Sequence, residues 1–138
     1  MNKLAVIYWS GTGNTQAMAE AIADGAREAG ADVSLLPCGE VSGVSAYDAV
    51  ALGCPAMGAE ELEDSEFLPM LEGVEPALPD KKVALFGSYG WGDGEWMRSW
   101  EARCAEKGIA LAVGSVIANE APDDAGIARC RALGAALA

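Results

Sequence analysis

Short apolar runs alternate along this chain with segments of helical periodicity, and this alternation constrains the fold more than any other feature. The first run, residues 4–8, is continuously apolar, which is typical of a strand buried on both faces. Residues 14–29 follow with Met18, Ile22 and Ala26 at helical spacing, and Gly30 then ends the predicted helix. Because alternating strands and helices pack as a parallel sheet covered on both faces, the sequence predicts an α/β fold.

The rest of the chain repeats the pattern without a linker or an internal repeat. Further strands are predicted at residues 32–36, 49–53, 83–86 and 110–117. Further helices are predicted at residues 66–72, where Pro69 delays or bends the start, at 95–107, and at the C-terminal end after the capping residue Asp123. Right-handed crossovers between five strands predict a doubly wound sheet of order 2-1-3-4-5 with helices on both faces. A ligand is then expected beyond the carboxyl ends of the strands, where the winding reverses between strands 1 and 3.

Length and charge limit the classes of function. The 138 residues fit one domain, predicted to span residues 1–138. With 9 basic and 21 acidic residues the net charge is -12, so we expect no binding to nucleic acid, whose phosphates need cations. The acidic surface favours basic protein partners, or else serves solubility alone. We expect neither an export signal nor a membrane segment, because the longest apolar stretch is about half of the roughly 20 residues that a span needs.

The cysteines and the missing histidine bear on metal binding and on cellular location. The chain has no histidine, and its four cysteines stand far apart, so we expect no metal site. Four reduced thiols in a cytoplasmic protein are the expected state.

The loop after the first predicted strand has the composition of a phosphate site. Its glycines let successive N–H groups converge at a helix N-terminus, and its hydroxyl and amide side chains add further donors. It contains no Lys or Arg, which excludes a nucleoside triphosphate P-loop, and Gln16 replaces the third glycine of a dinucleotide fingerprint. The loop suits a phosphate monoester, although a plain tight turn with a helix cap is the alternative. Its candidate ligands are Ser10, Gly11, Thr12, Gly13, Asn14 and Thr15.

Two further loops each carry one large apolar residue among small ones. Met57 follows the third predicted strand and Trp91 the fourth, and a planar ring clamped between them would bury both. The alternative is that each side chain folds inward as core, but the glycines on both sides of Trp91 argue against this. Trp96 and Trp100, by contrast, are predicted to be core residues of a helix.

Three motifs together resemble the short-chain flavodoxins of anaerobic bacteria, over essentially the whole chain. The first loop matches the phosphate signature [ST]-x-T-G-x-T, residues 53–60 match G-C-x-A-M-G-x-E, and residues 86–97 match F-G-S-Y-G-W-G-D-G-x-W-M. The resemblance implies a flavodoxin-like fold and non-covalently bound FMN. It also implies a monomeric, low-potential one-electron carrier, not an enzyme, that cycles mainly between neutral semiquinone and hydroquinone. Its partners would be redox proteins with basic docking faces.

The resemblance also implies roles for particular residues. Met57 and Trp91 would flank the flavin ring, Glu60 would accept a hydrogen bond from the pyrimidine N3–H, and N–H groups at residues 90–92 would meet the pyrimidine oxygens. Ser88 would reach toward the phosphate or ribityl chain, and Asn119 would lie at the edge of the site. Pro55 stands where some relatives have serine, so a hydroxyl contact is lost there. Beyond the first loop, the predicted FMN-binding residues are Pro55, Ala56, Met57, Gly58, Ala59, Glu60, Ser88, Tyr89, Gly90, Trp91, Gly92 and Asn119.

The Gly58–Ala59 peptide is predicted to act as a redox switch. Gly58 can adopt positive φ, so its carbonyl could turn toward flavin N5 once that atom is protonated. The second electron is expected to be harder to add, because the fully reduced ring is an anion in a negative protein. The acidic residues at 60–66 are interpreted either as a docking face or as a solvated helix start.

Two other classes of protein share the predicted topology. An FMN quinone reductase would need a substrate cleft, but this chain has no insertion beside either flavin loop and no histidine to act as an acid. A phosphorylated receiver domain would need an acidic cluster after strand 1 and an aspartate at the end of strand 3. Those positions hold Ser10, Gly11 and residues 53–55, so we set the receiver domain aside.

Overall fold

Five parallel strands form one sheet whose order, 2-1-3-4-5, confirms the predicted topology. The computed structural model describes residues 2–138. The strands are β1 (Lys3–Tyr8), β2 (Asp32–Pro37), β3 (Ala49–Gly53), β4 (Lys82–Tyr89) and β5 (Val116–Asn119). β1 and β3 are neighbours in space although β2 lies between them in sequence. The winding therefore reverses beside β1.

Four α-helices cover the sheet, two on each face. They are α1 (Asn14–Glu28), α2 (Phe67–Val74), α3 (Glu95–Glu106) and α4 (Asp124–Leu137). The core side chains divide into a layer under α1 and α4 and a layer under α2 and α3. Within residues 2–138, no helix is both long and apolar enough to cross a bilayer.

Close packing between α1 and α4 depends on two glycines. A Cβ built on Gly25 would stand 2.1 Å from the Arg131 carbonyl oxygen, and one on Gly134 would stand 2.0 Å from the Ile22 carbonyl oxygen. The two helix backbones are therefore too close to admit a side chain at either position. The start of α4 agrees with the prediction, because the Asp123 side chain accepts a hydrogen bond of 2.7 Å from the Gly126 N–H.

The predicted fifth strand, residues 110–117, was wrong in extent. β5 begins only at Val116, and the preceding segment makes a single bridge between Leu111 and Val83. Gly114, an exposed glycine with no side chain to pack, lies inside the predicted strand and weakens it. The strand also ends two residues later than predicted, at Asn119.

Prolines shape the segment between β3 and β4. Pro69 is the third residue of α2, so its missing N–H falls in the first turn, where no intrahelical bond is lost. A 3-10 helix at Glu75–Asp80, which the sequence analysis did not predict, follows directly. It is held to α3 by a two-point ion pair, with Arg103 Nε 2.7 Å and Arg103 Nη2 2.8 Å from the Glu75 carboxylate.

The predicted core of α3 is confirmed, since Trp96, Trp100 and Cys104 are each at most 2% exposed. All four cysteines are buried and unpaired with one another. Burial raises the pKa of the Cys54 thiol to about 12 and that of the Cys104 and Cys130 thiols to about 11. These thiols stay protonated at neutral pH and have no nucleophilic character.

Candidate functional site

A cavity of about 340 Å³ lies at the carboxyl ends of β1, β3 and β4, the edge at which a ligand was predicted. Its volume is within the range of small-molecule sites. The loops after β1, β3, β4 and β5 contribute its walls, together with the end of β4 and the start of α1. The lining residues are Trp9, Gly11, Thr12, Asn14, Pro55, Ala56, Met57, Ser88, Tyr89, Gly90 and Glu120.

The side-chain hydroxyl of Ser10 fixes the conformation of the loop between β1 and α1. Ser10 Oγ accepts hydrogen bonds from the N–H of Gly13, at 3.1 Å, and of Gln16, at 3.3 Å. Gly13 has a φ of 97°, a left-handed conformation that turns the chain into the helix at little steric cost. The N–H groups of Thr12 and Asn14 donate to no other residue in the described part of the chain. They remain available to an anion at the positive end of α1.

Thr15 joins this loop to β4. Its hydroxyl lies 3.3 Å from Ser88 Oγ and accepts a hydrogen bond of 3.4 Å from the Ser88 N–H. Both residues are buried, but only Ser88 lines the cavity. The two predicted site residues are therefore in contact. Thr15 lies behind Ser88 and does not line the cavity.

The loop after β3 forms a tight turn with Met57 at its start. The Met57 carbonyl accepts from the Glu60 N–H and the Met57 N–H donates to the Glu61 carbonyl, each at 2.9 Å. Ala56 is tied to the other wall, because its N–H donates to the Ser88 carbonyl at 3.0 Å. Met57 is half-buried in the cavity wall, whereas Gly58 and Ala59 project outward and are exposed.

Glu60 occupies a strained position and points toward the loop after β4. Its φ of 58° is rare for a residue with a side chain. One carboxylate oxygen accepts a hydrogen bond of 3.1 Å from the Trp96 N–H, at the start of α3. Gly92 has a φ of 84°, which favours glycine, and a Cβ there would stand 2.2 Å from the other oxygen and displace the Glu60 carboxylate. Glu60 thus links the two predicted ring-binding loops and does not line the cavity.

Trp91 stands out on the loop after β4 because its side chain is 62% exposed. The alternative in which it folds into the core is therefore wrong. Its neighbours Gly90 and Gly92 are exposed as well. An indole left in solvent beside a cavity is an unsatisfied apolar surface that a bound ring would cover.

Two cavity residues were missed by the sequence analysis. Trp9 follows β1, and its Nε1–H donates to the Glu66 carboxylate at 3.3 Å. Glu120 has a φ of 57°, and its N–H donates to the Tyr89 carbonyl at 2.7 Å. Asn119, the predicted edge residue, is the exposed last residue of β5 and lies outside the lining. The aromatic residue directly before the glycine loop was the one signal that could have identified Trp9.

The acidic stretch at residues 60–66 does not form one uniform face. Glu63 is only 5% exposed, and its carboxylate accepts hydrogen bonds from the N–H groups of Ser65, Glu66 and Phe67, each at 2.8 Å. Burial opposes the charge, but these bonds and one from the Ser65 hydroxyl outweigh it and lower the pKa of Glu63 to about 2. Glu63 therefore anchors the start of α2, while Glu61, Asp64 and Glu66 remain exposed.

The cavity chemistry matches the demands of a flavin mononucleotide. Free N–H donors at a helix start suit the phosphate, and Met57, Tyr89 and Trp9 offer apolar surface to a ring. No Lys or Arg is among the lining residues, and Glu120 is the only carboxylate there. The residues present thus fit FMN, in surroundings that hold no positive side chain.

Comparisons with known proteins point the same way. The sequence model of the family described as Flavodoxin matches residues 6–134. A flavodoxin from Megasphaera elsdenii is 50% identical over 135 residues, which cover 96% of each chain. A flavodoxin from Clostridium beijerinckii is 47% identical over 124 residues, covering 88% of this chain and 90% of that protein. The solution structure of two-electron reduced M. elsdenii flavodoxin is similar at a TM-score of 0.87 and 46% identity, covering 98% of this chain and 99% of that chain.

Proposed function

The chain belongs to the flavodoxin family, and from that premise we propose how its site binds FMN and which electron step it serves. Flavodoxins are FMN-binding electron carriers and not enzymes, and this chain is one of them. We propose that the whole chain is a single domain and that it works at low potential. Its working step would lie between the half-reduced and the fully reduced cofactor.

We place the FMN phosphate at the start of α1 and the ring in the cavity between Met57 and Trp91. Thr12 and Asn14 would donate N–H groups to the phosphate, while Ser10 keeps the loop in shape. FMN supplies one-electron chemistry when bound. The other predicted binding residues, including Glu60, Gly92 and Asn119, would act around the ring edge.

The absence of a cation in the cavity lining is the observation that carries the low-potential proposal. An added negative charge meets no Lys or Arg there, and Glu120 repels it. One carboxylate about 10 Å away costs about 1.7 kcal/mol at an effective dielectric of 20. That cost corresponds to about 70 mV for a one-electron step.

The test is an anaerobic reductive titration of the FMN-loaded protein, followed by absorbance. We expect a blue half-reduced form at the midpoint and a second potential well below the first. Replacing Glu120 by Gln should raise the second potential by about 70 mV or more, because this carboxylate lines the cavity. Asp80→Asn is the matched control, since Asp80 is exposed beside the opposite end of β4. A direct two-electron conversion, or equal shifts in both variants, would contradict the proposal.

The partners are redox proteins, and we propose that they present basic faces to this acidic chain. The exposed carboxylates of Glu61, Asp64 and Glu66 support this, because they stand near the loop that carries Met57. Electron transfer should then slow as salt rises from 10 to 300 mM, since exposed charges are screened. A rate independent of salt would contradict a charged docking face. The buried, unpaired cysteines support a cytoplasmic location.

A further inference from the structure

A second cavity, of about 380 Å³, lies at the carboxyl ends of β1 and β2. Trp9 lines both this cavity and the proposed FMN cavity, so its indole belongs to the wall that they share. The remaining walls come from the start of α1, from the short helix Cys38–Glu40 and from Glu66.

The second cavity is acidic. Glu40 and Glu66 line it, and no Lys or Arg does. One oxygen of Glu66 accepts a hydrogen bond from Trp9 Nε1–H, and the other lies 4.0 Å from a Cβ built on Gly39, which also lines this cavity. Gln16 and Ser10 add polar surface at the α1 side.

Tyr8 gives this cavity a polar group that no other residue binds. The residue is only 9% exposed, and its hydroxyl makes no hydrogen bond to any residue within 2–138. In the same part of the chain, the one fully enclosed side-chain N or O atom without a partner is Trp100 Nε1. The Tyr8 hydroxyl therefore reaches open space, and the cavity that Tyr8 lines provides it. Burial, followed by the charges of Glu20 and Glu40, raises the pKa of Tyr8, so the hydroxyl stays protonated.

We propose that this cavity receives an arginine side chain from the docking face of the redox partner, which seats the partner against Trp9. The proposal rests on the electron-carrier function proposed above. A guanidinium carries five donors in a planar fork, which suits two separate carboxylates and a phenolic oxygen. Trp9, which lines both cavities, would then lie between the anchored partner and the proposed FMN site.

The first test uses triarginine as the probe and the FMN-loaded protein labelled with ¹⁵N. We expect the largest shifts at the Gly39 and Glu40 amides and at the Trp9 indole N–H. Tyr8→Phe and Glu40→Gln should each weaken binding about threefold, which is typical of losing one hydrogen bond or one exposed ion pair. Glu106→Gln removes an equal charge from exposed α3 surface and should leave binding unchanged.

Three results would overturn the assignment. Equal weakening by Glu106→Gln, or largest shifts within residues 60–64, would mean diffuse attraction to an acidic surface. Equally tight binding of trilysine would remove the case for a guanidinium. FMN affinity, measured by flavin fluorescence in the same variants, reports separately on the proposed function, because neither Tyr8 nor Glu40 lines the FMN cavity.

The second test asks whether the cavity serves electron transfer. Cytochrome c, a basic haem protein, is used as the acceptor at low salt. Tyr8→Phe should slow its reduction about threefold and Glu106→Gln should not, with potentials unchanged in both. Equal rates in the wild-type protein and Tyr8→Phe would contradict a role in docking.

Discussion

The redox switch predicted at the Gly58–Ala59 peptide can be tested by Gly58→Ala, because the observed turn tolerates a methyl group. The φ of Gly58 lies outside the left-handed range, and a Cβ built there meets no atom within 4 Å. In this conformation the substitution should leave stability unchanged or raise it by up to about 1 kcal/mol, since alanine restricts the unfolded chain.

A flip of the Gly58–Ala59 peptide that keeps the Met57–Glu60 turn places positive φ at residue 59 alone, as in a type II turn, or at both 58 and 59, as in a type I′ turn. We propose the second course, in which the methyl group of Gly58→Ala meets positive φ. That conformation costs an L-residue about 1–2 kcal/mol. If the flip accompanies the first electron, the first potential should fall by about 45–90 mV while the second stays in place. The two steps would then move closer together.

The assay is spectroelectrochemical titration of the FMN-loaded protein at pH 7, paired with urea unfolding of the same variant. Gly43→Ala is the matched control, because Gly43 is also exposed, outside the left-handed range and open to a Cβ. A first potential unchanged by Gly58→Ala, with stability intact, would refute a flip through positive φ at this residue.

Three further predictions follow from single contacts. Trp91→Ala should weaken FMN binding about tenfold by fluorescence titration and change unfolding of the apoprotein by less than about 0.5 kcal/mol, since the indole is exposed; a large loss of stability would contradict its place. Riboflavin should bind at least about a hundredfold more weakly than FMN, because it lacks the phosphate that the α1 loop would bind; equal affinities would remove the phosphate site. Glu63→Gln should cost up to about 3 kcal/mol at pH 7 in urea unfolding. The pKa of Glu63 is lowered from 4.5 to about 2, so its contribution is complete above pH 4.5 and disappears as the pH falls through about 2, where the two proteins should become equally stable.

Patterns local to the sequence were enough to predict the sheet order and most helix bounds. β3 matches its prediction residue for residue, because a buried parallel strand leaves an unbroken apolar run. The predicted bounds of the fifth strand were wrong because the apolar residues around Gly114 resemble a strand. Only Leu111 and the residues from Val116 onward pair with β4.

The remaining differences arise from contacts between residues far apart in sequence. The Glu60 carboxylate accepts a hydrogen bond from the Trp96 N–H and so caps α3, which begins 35 residues later. A sequence pattern around Glu60 cannot predict a contact at that separation. Glu63 is a local exception: it lies in an acidic stretch that was predicted to be solvated, but its buried carboxylate accepts hydrogen bonds from the N–H groups of Glu66 and Phe67 at the start of α2. Trp9 continues an apolar strand, so its place on a cavity wall became visible only when the loops were assembled around it.

The proposed function requires that one flat ring is held between the thioether of Met57 and the indole of Trp91. The most direct measurement is a set of intermolecular NOEs in the oxidised FMN-loaded protein, with methionine methyl groups and tryptophan rings labelled. We expect cross-peaks from flavin ring protons to both the Met57 methyl and the Trp91 indole. Cross-peaks to neither, with the bound flavin reporting instead on another surface, would contradict it.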